Sequence, residues 1–236
     1  MAANWPMGWT VRHLEETGST NTDLLGDVDA SLVGDRSVLV ADHQIAGRGR
    51  LDRRWDAPPG ANLLVSIALS PVPSVASEVT HRVGLAALAG ARRLRPDAVL
   101  SLKWPNDILF DDLKLAGILA QRSSMTDAVV VGLGLNVAWA PDGAALLGAD
   151  LRPADLLVEI LRSFDELPTD IRSIYRSELS TIGRRVRVEV PGRAGNDIVV
   201  GTAVDVDDTG RLLVELDSGA TVAYDVGDVV HVRPDG

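Results

Sequence analysis

After Gly183 the apolar pattern of this chain shortens its period to two. The runs RRVRVEV, DIVVGTAVDVD, RLLVELD and TVAYDVGDVVHV alternate apolar with polar residues and are parted by Pro191-Gly192, Asp208-Thr209-Gly210 and Ser218-Gly219. Short, closely spaced strands with turn signals between them predict a small β-barrel or sandwich. Ahead of that point the texture is different. Apolar strands are predicted over 37–41, 62–69, 98–104, 113–121 and 128–137. Val75, Val79, Val83, Ala86, Ala87 and Leu94 fall at helical spacing over 74–94, a helix that Pro96 ends. Pro153 opens another helix to about Leu167, and one more is predicted from Pro168 to Leu179. Ser19-Thr20-Asn21 ahead of Thr22-Asp23-Leu24-Leu25 reads as a helix start with a capping hydroxyl. The predicted organisation is an α/β body, residues 1–183, followed by a β-module, residues 184–236. With the first strand expected at residue 37, no helix-turn-helix domain is expected before it.

Charge and composition narrow the function classes. The 236 residues carry a formal net charge of -10, which argues against wholesale binding of nucleic acid. There is no cysteine, so disulfides, thiolate metal sites and a cysteine nucleophile are excluded. His13, His43, His81 and His231 show no metal-ligand spacing, and Trp5, Trp9 and Trp139 read as packing residues. No apolar run reaches the roughly 20 residues a membrane span needs, and the start lacks a basic segment followed by an apolar one. A cytoplasmic protein without a membrane partner is expected.

Against that acidic background, AGRGRLDRRW at 46–55 packs Arg48, Arg50, Arg53 and Arg54 into one stretch, with Gly47 and Gly49 between the first of them. Guanidinium forks pair bidentately with phosphate and carboxylate, and glycine lets the backbone approach closely. The spacing fits neither a P-loop nor a dinucleotide fingerprint. Three further stretches stand out. SLKWPNDILF, 101–110, puts Lys103 in an apolar strand, where an ammonium is costly unless it meets an anion, and presents Asn106 and Asp107 after Pro105. DDLKLAGILAQ, 111–121, has Lys114 at the start of an apolar strand that Gly117 interrupts, and VVVGLGLNVAW, 129–139, places Gly132 and Gly134 inside a strand ending at Asn136. Each is also compatible with plain structure: a solvated basic surface, a Pro-Asn-Asp turn, a packing glycine, a bulge.

In combination and in this order, the polar turn at 19–21, the Arg-Gly loop, K-W-P-N-D, K-L-A-G-I-L and G-L-G-L-N resemble the biotin protein ligase family over residues 17 to about 137. The β-module resembles that family's SH3-like domain. The resemblance implies an α/β (α+β) mixed-sheet catalytic domain like that of class II aminoacyl-tRNA synthetases, in the short form without an N-terminal DNA-binding domain. It implies activation of biotin by ATP with Mg²⁺, then transfer to one lysine of a biotin carboxyl carrier domain. Ser19, Thr20 and Gln44, with Asn21 alongside, would hold the ureido head of biotin. Arg48, Gly49 and Arg50 would run along its tail and the phosphate. Lys114 would touch the carboxylate and the α-phosphate as the main electrostatic catalyst. Lys103, Asn106 and Asp107 would organise the triphosphate, Mg²⁺ and the arginine loop. Arg53 would help hold the nucleotide, Trp55 stack on adenine and Asn136 read its edge, while Gly117 and Gly134 leave space for the bicyclic ring.

One position departs from the family pattern, G-R-G-R-x-G-R-x-W: Asp52 stands where the third glycine is expected. A backbone at positive φ suits aspartate less well than glycine. Rival readings are a lipoate or octanoate protein ligase, a biotin-responsive DNA-binding repressor and a non-catalytic vitamin-binding protein. K-W-P-N-D and the Arg-Gly loop favour biotin over lipoate.

Overall fold

A computed structural model describes residues 4–192, 195–225 and 228–231. The body holds a seven-stranded sheet built from β1 (Thr10–Thr17), β2 (Ser37–Gln44), β3 (Leu63–Leu69), β4 (Leu100–Lys103), β5 (Asp107–Phe110), β6 (Leu113–Arg122) and β7 (Val129–Leu135). Their order across the sheet is β1-β2-β3-β7-β6-β5-β4. The β1–β2 pair is parallel and the other pairs antiparallel, which makes the sheet mixed as expected. Helix α1 (Thr20–Asp29) links β1 to β2, α2 (Ser77–Leu94) follows β3, and α3 (Pro153–Glu166) and α4 (Arg172–Glu178) follow β7.

Strand residues alternate between two faces, and the apolar partners separate accordingly. Val65 and Ile67 of β3, with Val131, Leu133 and Leu135 of β7, share a core with α2 and α3. Leu39, Ala68 and Val130 point the other way and meet Leu24 and Val28 of α1. That second cluster covers one end of its face. Farther along the same face stand Ser66, Gly132 and Gly134, and there the sheet becomes a cavity floor.

The β-module is a five-stranded antiparallel sheet, consistent with the expected SH3-like domain. It comprises β8 (Arg185–Gly192), β9 (Gly195–Val206), β10 (Leu212–Leu216), β11 (Thr221–Tyr224) and β12 (Asp228–His231), in the order β11-β10-β9-β8-β12. Its Val186, Val188, Ala203, Leu212 and Val214 belong to the same apolar cluster as the body's core. The segment joining the two sheets lies against the edge strand β4, with Ser180 N–H donating to the Leu102 carbonyl at 2.9 Å.

Several expectations need correction. The chain enters the sheet at Thr10, not at residue 37, because β1 is an edge strand whose side chains are mostly exposed and carry little apolar signal. A four-residue strand, β5, follows the Pro105 turn. Pro191-Gly192 is the end of β8 rather than a break, and residues 193–194 lie outside the described residues. Ser19 is the N-cap of α1 by backbone conformation, yet its hydroxyl makes no capping hydrogen bond. No helix among the described residues is long and apolar enough to cross a membrane.

Candidate active site

The cavity on the α1 face encloses about 350 Å³, within the range of small-molecule sites. Its deep end is polar and uncharged. Thr20 donates to Gln44 Oε1 twice, from its backbone N–H at 2.8 Å and from its hydroxyl at 3.0 Å. The hydroxyl then has an acceptor site for Ser66, whose Oγ stands 2.8 Å away. The first amide of α1 is thus satisfied from β2, 24 residues on. Asn21 donates to Gln121, and its Oδ1 is buried without a partner. A Cβ on Gly132 would come within 2.8 Å of that oxygen, so glycine is needed where helix and sheet approach.

The arginine stretch is a small hairpin. Trp55 N–H donates to the Gly47 carbonyl at 3.0 Å and Gly49 N–H to the Arg53 carbonyl at 2.7 Å. A 3-10 turn at Arg50–Asp52 forms the tip, and the left-handed conformation there falls on Leu51, at φ 55° and ψ 37°. The loop therefore brings its own hydrogen-bonded frame, in contrast to a segment that an anion alone would order. Gly47 permits the closure, since a Cβ there would collide with the Trp55 carbonyl.

Arg50 fastens the hairpin to the rest of the site by donating to Asn106 Oδ1 at 3.1 Å, and Asn106 in turn donates to the Ile118 carbonyl at 2.8 Å. Lys114 Nζ donates to Asp107 Oδ1 at 2.7 Å. The same ammonium stands 5.9 Å from the centroid of the Trp55 ring, at the outer limit of a cation–π contact. Arg48, Arg50, Arg53, Arg54 and Lys114 line the cavity against two carboxylates, Asp56 and Asp107. A locally cationic site on a chain of net charge -10 is suited to an anionic small molecule.

The sequence-selected residues Ser19, Thr20, Asn21, Gln44, Arg48, Gly49, Arg50, Arg53, Trp55, Asn106, Asp107, Lys114, Gly117, Gly134 and Asn136 all line this cavity. Lys103 does not; it pairs in register with Asp107, and its charge acts on His231 of the β-module. Gly117 and Gly134 are cross-strand neighbours, and the space above them is occupied by the Trp55 indole. A Cβ on Gly134 would lie 2.5 Å from that ring. The Trp55 indole N–H is buried without a partner. Asn136 is largely committed to the protein, donating to the Ala145 carbonyl at 3.0 Å and accepting from Asn62 at 3.2 Å.

Sequence reasoning missed Ser66 and Asn62. A polar residue standing inside the apolar run NLLVSIAL was the available signal, since a buried hydroxyl or amide needs a partner.

Residues 14–137 match the model of the Biotin/lipoate A/B protein ligase family, and residues 181–232 match that of the Biotin protein ligase C terminal domain. The biotin–[acetyl-CoA-carboxylase] ligase of Mycobacterium tuberculosis is 40% identical over 249 residues, covering 96% of this chain and 91% of the relative. The chain belongs to the biotin protein ligase family. A second biotin–[acetyl-CoA-carboxylase] ligase, from Paracoccus denitrificans, is 33% identical and spans 89% of this chain and 95% of its own length. Among solved structures of biotin protein ligases, that from Aquifex aeolicus in complex with biotin and ATP superposes with a TM-score of 0.79. It covers 95% of this chain and 99% of its own at 24% identity, a likeness of fold.

Proposed function

We propose that this chain is a biotin protein ligase that joins biotin to ATP, giving biotinyl-5′-AMP and pyrophosphate, and passes the biotinyl group to one lysine of a biotin carboxyl carrier domain. The carrying observation is the convergence of Lys114 and the arginine hairpin on a cavity whose far end is buried, polar and uncharged. A neutral ureido group suits Ser19, Thr20, Asn21, Gln44 and Ser66, and the orphaned Asn21 Oδ1 offers it an acceptor. A valerate tail then leads the carboxylate toward the cations.

In the first half-reaction a carboxylate oxygen attacks the α-phosphorus and the bond to the bridging oxygen of pyrophosphate breaks. Two anions must meet, so the catalytic work is charge neutralisation by preorganised donors. Lys114, oriented by Asp107, serves the carboxylate and the α-phosphate. Arg48 and Arg50 close over the tail, with Asn106 holding Arg50 in place. Arg53, Trp55 and Asn136 form the nucleotide side. The hairpin excludes water from the mixed anhydride and opens toward the carrier lysine, whose amine attacks the acyl carbon and expels AMP.

Mg²⁺ would arrive with the triphosphate. No group of three or more His, Cys, Asp or Glu side chains is poised for a metal among the described residues. Asp107, beside Lys114, would hold the ion, which would supply further charge neutralisation. Lys103 is the cross-strand partner of Asp107 and would meet the outer phosphates of an extended triphosphate. A cytoplasmic location fits a reaction that consumes ATP. The residues 1–183 would carry both half-reactions, and 184–236 would support them.

The test supplies purified chain with ATP, Mg²⁺ and biotin. Pyrophosphate release that requires biotin supports ligation over simple vitamin binding. Labelled biotin should enter a carrier domain while labelled lipoate does not; preferential lipoate incorporation would overturn the assignment.

A further inference from the structure

We propose that the β-module positions Arg50 and Lys114, the groups that meet the α-phosphate, through Trp104, with Thr181 and Gly210 as the positioning residues that hold it. The inference rests on the ligase reading above. Trp104 stands between Lys103 and Pro105 in the β4–β5 hairpin and is buried. Both of its donors are taken up toward the C-terminal side. Its indole N–H donates to the Gly210 carbonyl at 3.0 Å, and its backbone N–H donates to Thr181 Oγ1 at 3.0 Å.

Each anchor is itself fixed. Gly210 sits in the β9–β10 turn, where Asp207 accepts from Thr209 N–H at 2.9 Å, from Arg211 N–H at 3.0 Å and from Arg211 Nε at 2.7 Å. Burial opposes the charge of Asp207, but the Thr209 hydroxyl, which donates to it at 2.8 Å, and then these bonds lower its pKa to about 2. The turn is pressed against α2, with Ser77 Oγ donating to the Thr209 carbonyl at 2.9 Å. Gly210 has φ 84°, and a Cβ on it would come within 2.6 Å of Ser77 Oγ and 2.7 Å of His81 Cε1.

The second anchor is held from the module's last described strand. A guanidinium can only donate, so His231 Nδ1, 3.3 Å from Arg184 Nη1, accepts. His231 Nε2 therefore carries the hydrogen and donates to Thr181 Oγ1 at 3.3 Å. Burial, then the nearby charges of Lys103 and Arg184, keep this imidazole neutral, with its pKa lowered to about 4.

From Trp104 the route to the cavity is short. Asn106 and Asp107, two and three residues on, hold Arg50 and Lys114. A shift of the hairpin end thus reaches both the loop and the principal ammonium. Thr20, Gln44 and Ser66 lie in a separate hydrogen-bonded cluster of the deep end. Loss of the anchors should accordingly impair ATP use and spare biotin binding.

The full chain is compared with Trp104→Phe, Thr181→Val and Thr181→Ser. Biotin Kd is measured calorimetrically without ATP, and ATP KM and single-turnover pyrophosphate release are measured with saturating biotin. Trp104→Phe and Thr181→Val should lose about tenfold or more in kcat/KM for ATP, with biotin Kd within about twofold of the parent. Thr181→Ser, which keeps the acceptor, should restore the parent value. The proposal is overturned if both variants keep parental ATP kinetics while melting earlier, or if biotin and ATP binding fall together. Should Thr181→Val not fold, Trp104→Phe against the parent decides by the same ratio. A parent chain that releases no pyrophosphate would instead refute the ligase reading.

Discussion

Replacing Lys114 by methionine keeps most of the side-chain stem and deletes one charge, which isolates its electrostatic part. The ammonium now lies 2.7 Å from Asp107 and reaches over the Trp55 ring, with its side chain 41% exposed. A unit charge about 4 Å from a phosphate oxygen is worth ~4 kcal/mol at the effective dielectric near a protein surface. Removal of one preorganised donor from an acyl-transfer site costs ~3–4 kcal/mol, or 10²–10³ in rate. The two figures agree, and the partial exposure of Lys114 places the expectation at the lower end, about a hundredfold loss in adenylation. Its contact with the free carboxylate is an exposed ion pair worth under ~1 kcal/mol, so biotin Kd should rise less than about fivefold. Rapid-quench measurement of pyrophosphate in a single turnover gives the rate, and calorimetry gives Kd. A Lys114→Met rate within tenfold of the parent would refute the assignment of this residue as the main electrostatic catalyst.

Arg50→Ala removes the tie to Asn106, and biotinyl-5′-AMP should escape and label lysines on a bystander protein; tight retention would count against the hairpin as a lid. Gly134→Ala should drive the Trp55 indole out of its seat at a cost of about 1–3 kcal/mol, seen as a lower Tm and a red shift in tryptophan emission that is missing in a Trp55→Phe background. Burial of His81 against Tyr175 lowers its pKa from 6.5 to about 4. The unfolded chain therefore binds a proton first as pH falls, and stability present above pH 6.5 declines down to pH 4. At ~1.4 kcal/mol for each tenfold change in proton affinity the full decline is about 3 kcal/mol, and denaturant titrations of His81→Gln should show a shallower slope across that window.

The fold was legible where the pattern was local and strong. Val79, Val83, Ala86 and Ala87 mark α2 by their spacing alone, and they pack on the sheet as expected. β1 escaped notice because TVRHLEET pairs along one side and meets solvent with most of its side chains. At Ser19 the local signal gave the helix boundary but not the hydrogen bonds, since the first amide of α1 goes to Gln44, a long-range partner invisible in a local reading. In the site, Arg50, Asn106, Asp107 and Lys114 were found through short motifs, and the geometry adds which of them hold one another. Lys103 shows the limit: register sets it on the same face as its cross-strand partner Asp107, yet the cavity wall reaches Asp107 and stops short of Lys103. The seating of Trp55 over Gly134 depends on two segments about eighty residues apart in sequence meeting face to face, and no spacing rule encodes it.

The uncharged end of the cavity draws Thr20 from α1, Gln44 from β2, Ser66 from β3 and Gly132 from β7. No contiguous fragment contains that end, so vitamin occupancy is thermodynamically tied to the whole sheet. At a free concentration a hundred times its Kd, biotin should add about 2.7 kcal/mol to global unfolding, and the slowest-exchanging amides of β3 and β7 should slow by about a hundredfold.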